Sequence, residues 1–168
     1  MTEAEQNNRL ESHVRGIGVS PGVVVGPVFM LATQAVTVVE RKLAPEEVDH
    51  EIVRLEDALI ATRGQLKSIQ EDLGEQAGSR DASILDAHLM VLDDRAFIEE
   101  AVNAVRERRV NAEVAVRDVS ESYAAVLGSL DDDYLRERVA DVRDVARRIL
   151  RSLAGDKDVS LQTLTSKH

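Results

Sequence analysis

The feature that most constrains this chain is a helical pattern that begins at Pro45 and persists to about residue 154. Pro45 suits a first helical turn, where a missing N–H leaves no bond unmade, and Glu46, Glu47 and Asp49 stand near the positive end of the helix dipole. Val48, Ile52, Leu55, Leu59, Leu66, Ile69 and Leu73 follow at spacings of three, four and seven, which makes one long apolar stripe. This predicts a first helix that ends between Gly74 and Gly78. A second is expected from near Asp81, carrying Ile84, Leu85, His88, Leu89 and Leu92; the Leu92-Asp93-Asp94 step offers a new N-cap, so the helix bends or restarts there and runs to about Arg109. Asn111 is the expected N-cap of a third helix with Ala115, Val119 and Val126 inward, ended by the Gly128–Asp133 segment. A fourth runs from about Asp132 to Leu153 with Leu135, Val139, Val142, Ala146, Ile149 and Leu153 inward, and Gly155 terminates it. Four main helices on short connections predict a mainly α fold, an antiparallel four-helix bundle with a bent second helix.

The flanks have a different texture. Residues 1–15 lack apolar periodicity and are expected to form a mobile arm. Residues 16–43 are rich in β-branched side chains and punctuated by Gly18, Gly22, Gly26, Pro21 and Pro27, which predicts short strands joined by a turn at Ser20-Pro21-Gly22, with a third strand at Val36–Val39. So few strands cannot make a stable independent sheet. Residues 155–168 return to a weak strand or loop texture, so the expected organisation is a helical domain, 44–154, inserted into a partial α/β domain.

Composition narrows the chemistry. The 168 residues include no cysteine, which excludes disulfides, thiolate metal sites and a cysteine nucleophile. The formal net charge of -10 disfavours binding to nucleic acid or an anionic membrane, and suits a basic protein partner. Two Phe, two Tyr and no Trp leave no platform for stacking bases. The acidic, polar N-terminus is unlike a secretory signal, and no apolar run approaches the roughly 20 residues of a membrane span, so a soluble cytoplasmic protein is expected.

Three chemical readings compete at His88. Asp93 and Asp94, five and six residues on, do not share its helical face, which argues against a metal site. Positions 84 and 92, one turn either side, are Ile and Leu, so no acid on the same helix orients the ring for general-base or phosphoacceptor work. A helix histidine packed among apolar neighbours is the plain alternative. His50 reads as solvated and His168 as terminal. The glycine-rich segment lacks the Gly-Lys-Ser/Thr of a nucleotide loop, so a turn with close strand crossing is the stronger reading. The alternating charges from Tyr134 to Asp144 fit an ordinary ion-paired helix face.

In order along the chain, Gly18-Val-Ser-Pro-Gly22 with Gly26, the Val48-Asp49-Glu51 helix start, His88-Leu-Met-Val-Leu-Asp-Asp94 and Leu130-Asp-Asp-Asp-Tyr-Leu-Arg-Glu-Arg-Val-Ala-Asp-Val-Arg-Asp-Val-Ala-Arg-Arg-Ile-Leu150 resemble the N-terminal region of enzyme I of the phosphoenolpyruvate-dependent sugar phosphotransferase system. The resemblance implies that the helices form the docking site for the phosphocarrier protein HPr and interrupt an α/β domain bearing the family's phosphorylated histidine. It implies contacts from Ser83, Asp86, His88, Met90, Val91 and Phe97 on the second helix pair and from Leu127, Tyr134, Leu135 and Arg138 on the third and fourth, with His88 at the surface or rim. Ser79-Arg80 and Arg95-Ala96 stand where relatives carry acids, which implies weaker steering or a different carrier. The family's Gly-Gly-x-Thr-Ser-His motif is not present, and Thr165-Ser-Lys-His168 is only superficially similar, so no catalytic residue, metal or cofactor is expected within these residues; Mg and phosphoenolpyruvate are implied for the full-length family. The implied partners are HPr or a homologue and the remainder of an enzyme I chain. The alternative is a stand-alone helical structural or regulatory module that binds proteins without phosphotransfer.

Overall fold

The computed structural model describes residues 17, 21–23, 25–26, 37–77 and 85–155. The chain divides into two units, Met1–Thr33 and Gln34–His168. In the first, the described residues comprise a bend at Pro21–Gly22, where Gly22 takes φ 114, and the exposed Ile17, Val23 and Val25. A positive φ there needs glycine. The arm at 1–15, most of the expected first strands and the segment 156–168 lie outside the described residues.

The second unit is mainly helical. A 3-10 turn, Pro45–Glu47, leads into α1 (Val48–Ala77), followed by α2 (Asp86–Asp93), α3 (Arg95–Arg108), α4 (Ala112–Ser129) and α5 (Asp133–Ala154). Local chemistry sets these boundaries. Asp94 caps α3 by accepting from Ala96 N at 2.8 Å and Phe97 N at 3.4 Å, and Asp132 caps α5 by accepting from Leu135 N at 3.2 Å. Gly155 closes α5 at φ 72, where its N–H donates to Ser152 O at 3.1 Å. The expected second helix is thus two helices, broken at Asp94.

Asn111 occupies the N-cap position of α4, but its side chain caps nothing. Its amide instead donates to Val39 O at 3.1 Å and Glu113 Oε2 at 2.7 Å, while its Oδ1 accepts from Arg41 N at 2.9 Å. The capping task falls to Glu51 on α1, which accepts from Ala112 N at 2.8 Å. Residues 37–40 carry no strand; the pairing comes slightly later, as an isolated antiparallel bridge between Lys42 and Val110, flanked by Leu43 N donating to Arg109 O at 2.8 Å.

Leu55, Leu66, Leu92, Phe97, Val105, Val114, Val145 and Ile149 form the centre of the core, drawn from all five helices. Helix α5 packs along α4 and also touches α1 and α2. Phe97 meets the ring of Tyr123 edge-on, with centroids 5.4 Å apart. Val126, expected inward, is 60% exposed. Its helical angle matches that of Val119, so the helical period alone does not decide burial at this end of α4, where Ala124 is buried and Gly128 lies against Val139 of α5.

Candidate partner-docking site

A cleft of about 510 Å³ opens between α2 and α5, lined by Asp86, Ala87 and Met90 on one side and Tyr134, Glu137, Arg138 and Asp141 on the other. Spacing explains the pairing of faces. Residues 86, 87 and 90 share one side of α2, and 134, 137, 138 and 141 follow the i, i+3, i+4, i+7 rule on α5. Met90 is 70% exposed and Tyr134 60% exposed. Exposed on the two sides of one cleft, the thioether and the phenol present deformable apolar area that a partner can desolvate.

The polar residues around them are already organised. The Arg138 guanidinium donates to the Tyr134 hydroxyl, lies 4.6 Å from its ring centroid and reaches Asp141 Oδ2 at 3.1 Å. The Tyr134 contact, with Asp141 adding to it, pushes the Arg138 pKa further above its ordinary value, so the residue remains a cation. Asp86 accepts from Gln70 Nε2 at 2.7 Å. Three carboxylates against one guanidinium leave the lining net acidic, continued by Asp131, Asp132 and Asp133 before and within the first turn of α5. Such a rim attracts a basic surface and repels an acidic one.

Of the residues implied by resemblance, Asp86, Met90, Tyr134 and Arg138 meet in the cleft. Val91, Leu127 and Leu135 are half-buried and outside its lining, and Ser83 lies outside the described residues. Two expectations need correction. Phe97 is 1% exposed and belongs to the core, because the restart at Asp94 re-phases α3 and turns this side chain inward. His88 is 8% exposed rather than at the surface or rim: it lies on the same α2 stripe as Leu85 and Leu92, on the side away from Met90. Its Nε2 stands 3.9 Å from Asp144 Oδ2, an acid supplied by α5, too far for a hydrogen bond, and its Nδ1 is buried without a partner among the described residues. Ala87, Glu137 and Asp141 were missed, although Glu137 and Asp141 are readable from the helical spacing after Tyr134.

Among the described residues, no three His, Cys, Asp or Glu side chains come together as metal ligands, and no helix is long and apolar enough to cross a membrane.

Comparison with known proteins adds a second line. The family model for PEP-utilising enzymes, N-terminal, matches residues 15–138. The phosphoenolpyruvate-protein phosphotransferase of Enterococcus faecalis is 36% identical over 84% of this chain and 24% of its own length. That of Cupriavidus necator is 38% identical over 84% of this chain and 24% of its own. The chain therefore spans about a quarter of the length of these relatives. Among solved structures, an enzyme I protein determined by NMR in solution superposes with a TM-score of 0.68 at 37% identity, covering 73% of this chain and 49% of that one. The N-terminal domain of a nitrogen enzyme I superposes with a TM-score of 0.66 at 26% identity, covering 77% and 54%. Matched in sequence by the family model and in fold by enzyme I structures, the chain belongs to the PEP-utilising enzyme N-terminal family and corresponds to the N-terminal region of enzyme I.

Proposed function

We propose that the α2–α5 cleft is the docking face for HPr or a homologous small phosphocarrier protein, within a cytoplasmic phosphoenolpyruvate-protein phosphotransferase that serves sugar transport. The observation that carries this reading is the placement of exposed Met90 and Tyr134 together in one cleft rimmed by Asp86, Glu137 and Asp141. Apolar centre and charged rim divide the work: burial of the thioether and phenol supplies affinity, and the acids raise the encounter rate with a basic carrier. In this reading α2 and α3 count as one bent helix of an antiparallel four-helix bundle, residues 44–154 form the docking domain, and 16–43 and 155–168 belong to the α/β domain that carries the phosphorylated histidine. The docking face holds the carrier, and phosphoryl transfer takes place on residues supplied by the rest of the enzyme, with its Mg and phosphoenolpyruvate.

Titration of the isotope-labelled chain with HPr, followed by amide NMR, tests the reading. Shifts are expected at Ala87, Met90, Tyr134 and Glu137. Their absence, or shifts confined to α1, overturns it.

A further inference from the structure

Helix α2 has eight residues, too few for stability by itself, and its N-cap residue, Leu85, makes no side-chain capping bond. Its apolar face packs into the core through Leu85 and Leu92. Apolar packing is non-directional, so it resists separation of two helices better than sliding of one along the other. The directional bonds come from α1. Arg63 Nη2 donates to Leu92 O at 2.9 Å, satisfying one of the orphan carbonyls at the C-terminal end of α2, and reaches Asp93 Oδ1 at 2.6 Å. Gln70 Nε2 donates to Asp86 at the opposite end of α2.

The two contacts are matched in spacing. Residues 63 and 70 lie two turns apart on α1, as do 93 and 86 on α2 in the reverse direction, about 10.5 Å on each helix. A slide of one turn, about 5.4 Å, would break both. Among the described residues, Arg63 Nε is buried without a partner, an unmade bond that counts against stability. Its guanidinium is thus placed for α2 rather than for its own full satisfaction.

We propose that Arg63 and Gln70 are positioning residues for the docking face: clamping α2 at both ends, they set where Asp86, Ala87 and Met90 stand relative to Tyr134 and Glu137. This rests on the docking reading above. Neither residue lines the cleft, so each acts through α2.

Arg63→Met keeps the apolar stem and removes the fork, and Arg63→Lys keeps a cation for Asp93. In the full chain without partner, Arg63→Met is expected to move the amide resonances of residues 86–94, and HPr is expected to bind about tenfold more weakly, with Arg63→Lys recovering part of the loss. Met90→Ala should then weaken binding less in the Arg63→Met background than in the wild type, since a displaced α2 no longer presents Met90 fully. Gln70→Leu removes an exposed contact without disturbing the core, and carries the same reading if Arg63→Met unfolds the chain. Unchanged α2 amides, or an equal effect of Met90→Ala in both backgrounds, overturn the proposal. If the wild-type chain fails to bind HPr, the docking reading falls, while the α2 amides of the free variants still decide whether these two residues position the helix.

Discussion

Two regions of the helical unit use the same residue types to opposite ends. Where α1 meets the start of α4, Arg54 Nη2 donates to Glu51 at 2.6 Å and to both oxygens of Glu113 at 2.8 Å, while Arg54 Nη1 donates to Leu153 O at 3.2 Å. The Glu51 side chain is 4% exposed, and it also accepts from Ala112 N and from Arg54 Nε at 3.2 Å, with Arg41 Nη2 3.5 Å away. In the α2–α5 cleft, Arg138 and Asp141 are half-buried, as Arg54 and Glu113 are, but no acid there is enclosed as Glu51 is, and Glu137 is exposed beside Met90 and Tyr134. An arginine and two acids say little until burial is known. Enclosed, they bind helix ends together and must be satisfied in full; open, they retain water and remain available to a partner.

The sharpest break in this comparison is Glu51→Ala. It leaves Arg54 without its closest acid and Ala112 N without an acceptor, and is expected to cost about 3 kcal/mol, read as a fall in the unfolding midpoint. Met90→Ala in the cleft should do the reverse. Docking should weaken by about 2 kcal/mol in a titration with HPr, while the unfolding midpoint stays near the wild-type value. If Met90→Ala lowers stability as much as Glu51→Ala does, the division between enclosed and open regions fails.

A pH series sharpens it further. Burial by itself would raise the Glu51 pKa and is the largest single influence, but the hydrogen bonds from Arg54 and Ala112 N and the charges of Arg54 and Arg41 together outweigh it, so the carboxyl titrates below its ordinary value. A lowered folded-state pKa means that the stabilisation is fully present above the unfolded value of about 4.3 and is lost as pH falls through the lowered one. The gap in stability between wild type and Glu51→Gln should therefore hold at pH 7 and shrink below about pH 4, as urea unfolding at each pH would show. The smallest effect is expected for Arg95→Ala and Arg143→Ala, which break the exposed pairs with Glu99 and Glu121; neither should move the unfolding midpoint measurably.

Much of the helical architecture was legible because its signals are local. Asp94, Asp132 and Gly155 act on backbone groups within a few residues, so their capping roles follow from position alone. The apolar stripe of α1 was legible for the same reason. Asn111 shows the limit: its place at the start of α4 was right, but its bonds go to Val39, Arg41 and Glu113, and Glu51 from another helix caps α4 in its stead. At the site, Tyr134 and Arg138 were found by resemblance; helical spacing puts Glu137 and Asp141 on the same side of α5, and the facing helix shows that this side borders a cleft.

The sequence by itself determined most helix ends, the scarcity of aromatic residues and thiols, the acidic balance and the family, because each depends on residue identity or on spacing along one chain segment; the expected start of the second helix near Asp81 lies outside the described residues. Only the tertiary structure decided that His88 and Phe97 are buried, that Asp144 comes to His88 from α5, that Val126 is uncovered, and that Arg63 and Gln70 hold α2 from α1. The physical reason is that helical period specifies which residues share a face, but burial and pairing depend on which helix stands opposite, in which register and for how many turns.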